Sequence, residues 1–164
     1  DIVAYFDAKS LNVLDAKINT TNHGYALNTF ILDHTLFSVS DIDYLISKIE
    51  KELSKILSDK KDFKFISYKK KSRRSLNFPL LPRVKLTADE KKEFHILSIT
   101  TGDSPGVLYK IAKTLAKNKI SVKNAKISTL GEKVEDVFVV HGKRLHIESE
   151  TIKLESDLLT ALAN

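Results

Sequence analysis

Three sets of residues in this 164-residue chain have types and spacings that could do chemistry. The first is Asp103-Ser104-Pro105-Gly106 with Val107 and Leu108 behind it. Val107, Leu108, Ile111, Ala112 and Leu115 recur at helical spacing, so the turn heads a helix with one apolar face. A helix N-terminus offers N–H groups without intrahelical partners and a partial positive charge, which suits a small carboxylate. Asp103 beside it suits an ammonium group, so the corner as a whole suits a zwitterion. The same residues also read as helix punctuation, with Asp103 or Ser104 as N-cap and Pro105 in the first turn. Both readings stand on the residues alone.

The second set is Asp41-Ile42-Asp43, a D-x-D spacing of the kind that binds metal in nucleotidyltransferases. Here it opens a long helical pattern from Ser40, with Ile42, Leu45, Ile46, Ile49, Leu53, Ile56 and Leu57 as its apolar stripe. Residues i and i+2 on a helix do not face each other. Acidic residues in a first turn have sufficient reason in the helix dipole. No catalytic role is assigned. The third set is five histidines, His23, His34, His95, His141 and His146, with no H-E-x-x-H spacing and no Cys partners. No G-x-S-x-G or P-loop occurs, and only five Gly are present. The expectation is a segment with no catalytic residues, no metal and no cofactor of its own.

The elements that position the first corner follow from pattern. Glu93 to Thr100 reads as a strand, then the turn and its helix, then the alternating run Ile120 to Ile127. Leu130-Gly131-Glu132-Lys133 closes a hairpin into Val134 to Val140. The strand carrying Asn124, Ala125 and Lys126 has small and amide side chains that let a ligand approach its backbone. A last helix runs from Glu148 to Ala163, with Ile152, Leu158, Leu159 and Leu162 expected inward. Strand–helix–strand–strand–helix is most of a ferredoxin-like βαββαβ sandwich. Arg83 to Leu86 is expected to pair antiparallel beside Ile96–Ile99 and replace the missing final strand.

An earlier stretch repeats this unit. Leu11 to Ile18 matches Ile120 to Ile127, with Asp15-Ala16-Lys17-Ile18 on Asn124-Ala125-Lys126-Ile127, and Phe30 falls on Phe138. Asp1 to Lys9 is helical in pattern, and Tyr25 to Asp33 is a strand. The fold class is therefore α+β, two ferredoxin-like sandwiches, the first lacking its first strand. That absence from the middle of a sheet would leave the sheet divided, unless the strand is supplied by a longer parent chain or another segment takes its place. The expected domains are 1–58 and 81–164, joined by a basic linker at 59–80, in which Phe63 to Tyr68 could form an edge strand.

Composition bounds the rest. Hydrophobic content of 42% and charged content of 29% are those of a soluble globular protein. No apolar run approaches the ~18–20 residues of a membrane span. Absent Cys rules out disulfides and fits the cytoplasm. No Met opens the chain, which reads as a fragment of something longer. The net charge of +6 is concentrated in Lys60, Lys61, Lys64, Lys69, Lys70, Lys71, Arg73 and Arg74, as in a solvated linker. An RNA-binding βαββαβ module would need paired aromatics on its central strands. Phe138 is alone in its strand, so no nucleic acid is expected, and the lack of a long apolar run leaves no membrane partner expected.

Asp103-Ser104-Pro105-Gly106-Val107-Leu108 resembles the D-x-P-G-L-L turn of ACT domains, small amino-acid-sensing modules. The longer string from Lys119 to Phe138, with Asn124-Ala125-Lys126-Ile127 and Val134-Glu135-Asp136-Val137-Phe138, resembles the last ACT domain of the PII uridylyltransferase/uridylyl-removing enzyme family. The resemblance covers nearly the whole chain and departs in the Lys-rich stretch at 59–75. It implies a glutamine-sensing region whose parent transfers UMP from UTP to the PII signalling protein and removes it. Nucleotidyltransferase and hydrolase domains needing Mg2+ would lie upstream. It also implies ACT–ACT pairing, with the site formed by Asp103, Ser104, Pro105, Gly106, Val107, Leu108, Asn124, Ala125 and Lys126. Asp15, Ala16 and Lys17 of the paired repeat would then be its other wall. An ACT-repeat regulator of a different enzyme is the alternative.

Overall fold

The fold is known from a computed structural model that describes residues 2–20, 26–33, 38–58, 80–91, 93–104, 106–130 and 133–163. In chain order these form α1 (Ile2–Ala8), β1 (Val13–Thr20), β2 (Ala26–Leu32), a 3-10 turn (Val39–Asp41), α2 (Ile42–Ser58), β3 (Arg83–Ala88) and β4 (His95–Gly102). Then come α3 (Val107–Lys117), β5 (Ser121–Lys126), β6 (Thr129–Leu130), β7 (Lys133–His141) and α4 (Glu148–Ala163). The basic stretch and the Phe63 to Tyr68 pattern lie outside the described residues. No helix among the described residues is long and apolar enough to cross a membrane.

Alternation puts the core on one face of the sheet. Along β7, Val134, Asp136, Phe138 and Val140 are buried while Lys133, Glu135, Val137 and His141 are exposed, the period of a half-covered antiparallel strand. His95, Leu97, Ile99 and Thr101 do the same on β4. Helix α3 lays Val107, Ile111, Thr114 and Leu115 onto that face. Helix α4 adds Leu154 and Leu158 and is tied to its neighbours by polar contacts. Glu155 accepts the Leu86 N–H at 2.7 Å, and Asp157 accepts the Asn118 side-chain amide at 3.1 Å.

The last helix and α2 correct two expected stripes. In α4, Ile152 is 59% exposed and Leu159 37%, and Leu154 takes the inward place instead. In α2, Ile46 and Leu57 are exposed while Leu45, Ile49, Leu53 and Ile56 pack against the core. In both helices the core covers a narrower arc than the apolar pattern marks.

The sheet is antiparallel and continuous, in the order β2-β1-β5-β7-β4-β3, with β6 a short addition on β7. β3 runs beside β4, Val84 opposite Ile99 and Leu86 opposite Leu97, so the upstream hairpin does stand in for the final strand. The expected division of the sheet does not occur. β1 and β2 are hairpin neighbours and need no strand between them, and β1 continues the sheet by pairing with β5. The repeat joins side by side: Asp15 opposite Lys126, Ala16 opposite Ala125, Lys17 opposite Asn124.

The two repeats also end their first helices identically. The Leu11 N–H reaches Phe6 C=O at 2.9 Å, and the Ile120 N–H reaches Leu115 C=O at 2.9 Å. Ser10 and Lys119 both sit at φ 57, the left-handed C-terminal turn that glycine prefers. Neither is glycine, and a left-handed non-Gly residue costs roughly 1–2 kcal/mol. Lys119→Gly is expected to raise stability by about 0.5–1 kcal/mol in urea denaturation. A loss of stability would show that the Lys119 side chain contributes more than its backbone costs.

Candidate functional site

β4 ends at Gly102, and the chain turns through an exposed Asp103 and a half-buried Ser104 into α3. Gly106, not Asp103 or Ser104, occupies the cap, at φ 78 and ψ 14, and no side chain bonds there. The expected side-chain cap is thus corrected. The left-handed conformation at this position suits a residue without Cβ, and the helix begins only after it. The Ser104 carbonyl accepts the Val107 N–H at 3.2 Å, and the Gly106 carbonyl accepts the Lys110 N–H at 2.8 Å. Pro105 lies outside the described residues. Val107 is buried and Leu108 half-buried. The Tyr109 N–H donates to the Asp7 carboxylate at 3.3 Å, so a side chain from the first repeat's helix already sits on the first turn of α3.

The expected walls meet at the seam, but their side chains divide between its faces. Ala16 and Ala125 are buried on the helix side, directly opposite each other. Asp15, Lys17, Asn124 and Lys126 alternate with them and therefore project from the other face. What the seam presents towards α3 is two methyl groups and backbone. Beyond it the Ile127 N–H donates to Leu14 C=O at 3.2 Å, the next bond between the repeats.

One residue of this corner escaped the motif reading. Asp136 is 1% exposed and occupies an inward position of β7 between Val134 and Phe138. It accepts the Ser128 N–H at 3.2 Å, immediately after Ile127. Burial pushes its carboxyl up to about 7, the Ser128 hydrogen bond pulls the other way, and the nearby Asp103 carboxylate adds to the rise. The readable signal was the parity: an acidic residue on the apolar face of a Val-rich strand. Phe30 and Phe138 correspond in the two repeats, so Asn28 corresponds to Asp136. The Asn28 Oδ1 is buried and has no hydrogen-bond partner among the described residues.

Other reactive side chains take ordinary roles. His95 is buried, bonds to the Leu145 backbone and meets the His146 ring at 5.9 Å; burial, then His146, lowers its pKa. Asp41 and Asp43 are exposed at the start of α2, and Asp41 accepts the Ser38 hydroxyl. Among the described residues no group of three or more His, Asp or Glu is placed to hold a metal ion.

A scan against protein-family models finds no match. Among curated proteins, the chain is 44% identical over 162 residues, 99% of its length, to the "Bifunctional uridylyltransferase/uridylyl-removing enzyme" of Burkholderia mallei (strain SAVP1). The protein of the same name from Burkholderia pseudomallei (strain K96243) matches over the same length at the same identity. The chain spans 19% of the length of these curated relatives.

Asp136 makes stability depend on pH with a definite sign. Its folded pKa lies above the unfolded value, so the native state binds more protons between about pH 4 and 7. The contribution of Asp136 to stability is therefore highest at the acid end of that window and falls as pH rises through it, by on the order of 4 kcal/mol. Urea denaturation at several pH values should show Asp136→Asn removing that decline relative to the unaltered chain. Parallel curves for the two proteins would refute the assignment.

Proposed function

We propose that this chain is the regulatory, amino-acid-sensing part of a bifunctional uridylyltransferase/uridylyl-removing enzyme, built as two ACT-type repeats paired side by side. One observation carries the reading: 44% identity to enzymes of that name runs through 162 residues and so through both repeats. The sheet supports it, because β1 and β5, corresponding strands of the two repeats, lie together at Ala16 and Ala125. The parent would transfer UMP from UTP to the PII protein and remove it again. Its Mg2+ would belong to catalytic domains outside this chain.

The ligand is a free amino acid, glutamine first among them. Asp103 pairs with the α-ammonium group, and the Ser104–Leu108 backbone at the head of α3 receives the carboxylate. Ala16 and Ala125 are packed into the core beneath the seam, so the corner at α3 rather than the seam's covered face receives the ligand. Asp7 already occupies the Tyr109 N–H, so a carboxylate entering the turn shares or takes that position. Regulation follows if glutamine binds one arrangement of the repeats more tightly than another, because equal affinity for both shifts nothing.

Isothermal titration calorimetry with glutamine and a panel of amino acids tests this. Glutamine is expected to bind, and Asp103→Ala to weaken it by at least about tenfold, the loss of a charge-assisted bond of ~1.5–3 kcal/mol. Absence of heat with every amino acid would sink the sensor reading.

A further inference from the structure

The first turn of α3 already holds a carboxylate, and that carboxylate belongs to the other repeat. Asp7 lies on α1, and its Oδ2 accepts the Tyr109 N–H at 3.3 Å across 102 residues of sequence. The place favours a negative charge, because the N–H groups of a helix's first turn and its dipole both point there. Neighbouring N–H groups of the turn are bonded within the backbone, Val107 to the Ser104 carbonyl and Lys110 to the Gly106 carbonyl. The Tyr109 N–H is held by a side chain instead. Asp7 is half-buried, so its carboxylate can give up that N–H for water without becoming an orphaned charge. Behind it, Tyr5 and Phe6 sit in the shared core, and Tyr5 and Lys9 both engage Glu52 of α2. The contact runs one way. Phe6 and Leu11 correspond to Leu115 and Ile120, so Asp7 corresponds to Ala116, which has no carboxylate to return.

We propose that Asp7 is a built-in occupant of the amino-acid corner, displaced when a ligand's α-carboxylate takes the Tyr109 N–H. The inference rests on the reading of that corner as the ligand site. Two carboxylates brought to one N–H repel each other and cannot both accept it at full strength. Binding therefore costs the Asp7 bond, and the release of Asp7 removes a tie between α1 and α3. Because α1 remains joined to α2 through Glu52, the event passes from the second repeat's corner to the first repeat's helices. The β1–β5 ladder beneath them is untouched, so the sheet stays whole while the helices shift. The linkage is reciprocal: the latch lowers ligand affinity by the factor by which the ligand loosens the latch. That difference between latched and released arrangements is what regulation by a ligand requires. With Ala116 in the corresponding position, the latch acts on one corner of the pair only.

The test is calorimetry of this chain with L-glutamine, unaltered and as Asp7→Ala and Asp7→Asn, beside amide hydrogen exchange read residue by residue. Glutamine should bind Asp7→Ala about three- to tenfold more tightly than the unaltered chain, the net worth of the hydrogen bond no longer given up. Asp7→Asn, whose neutral amide oxygen holds the N–H less strongly, should fall between the two and serves alone should Asp7→Ala not fold. In the unaltered chain glutamine should speed amide exchange in α1. L-Glutamine α-amide, which lacks the carboxylate, should leave that exchange unchanged even where it binds. A side chain that merely props the fold would lose stability and affinity together, so urea denaturation accompanies each variant. Tighter binding by a variant no more stable than the unaltered chain is the expected result. Affinity unchanged or weakened in the variants that fold, or exchange in α1 indifferent to glutamine, overturns the inference and leaves the sensor reading intact. No heat from any amino acid with any of these proteins overturns the sensor reading and the latch with it.

Discussion

The pairing of β1 with β5 is the constraint on which the rest of the structure depends. An antiparallel ladder brings two backbones to about 5 Å, and here Ala16 faces Ala125 on the covered side of it. Both are almost fully buried, and small side chains leave room for helices to cross above. Asp15 and Lys17 face Lys126 and Asn124 across the ladder, so the corresponding residues of the two repeats exchange places. That is the pattern of a twofold axis passing between the alanines, built within one chain. Because of it β1 and β2 of the first repeat extend the sheet of the second.

The same seam merges two hydrophobic cores. Tyr5, Phe6, Leu11 and Val13 of the first repeat belong to one continuous buried cluster with Leu97, Ile111, Phe138 and Leu158 of the second. The buried side chains of the first repeat therefore share one core with those of the second. Polar ties follow the same line. Asp7 accepts from Tyr109 across the repeats, and Lys9 pairs with Glu52 at 2.6 Å to join α1 to α2. Tyr5 also bonds to Glu52, and burial together with that partner raises the Tyr5 hydroxyl to about 12. An altered corner at α3 therefore meets α1 directly and α2 at one remove.

Local sequence was a good guide wherever local physics decides. The last helix begins at Glu148 and ends at Ala163 as its pattern implies, and β3 takes the place of a final strand because its alternation fits one side of Ile96–Ile99. The repeat was visible in Asp15-Ala16-Lys17-Ile18 and Asn124-Ala125-Lys126-Ile127, and the matching left-handed turns at Ser10 and Lys119 give it a structural counterpart. Inward stripes were read less well. Apolar spacing marks which residues could be buried, whereas Ile152 and Leu159 face solvent because the arc a sheet covers depends on where the helix is set down.

The chain's own order of residues determined the fold class, the repeat, the substitute strand and the acidic turn that opens α3, since each depends on neighbours a few positions apart. The tertiary structure decided the continuity of the sheet. It also placed Asp7 on the first turn of α3, and Asp136 beneath the corner. Those outcomes depend on groups brought together from about 100 residues apart, or on the burial of one carboxyl, and neither quantity exists until the sheet has closed across the seam.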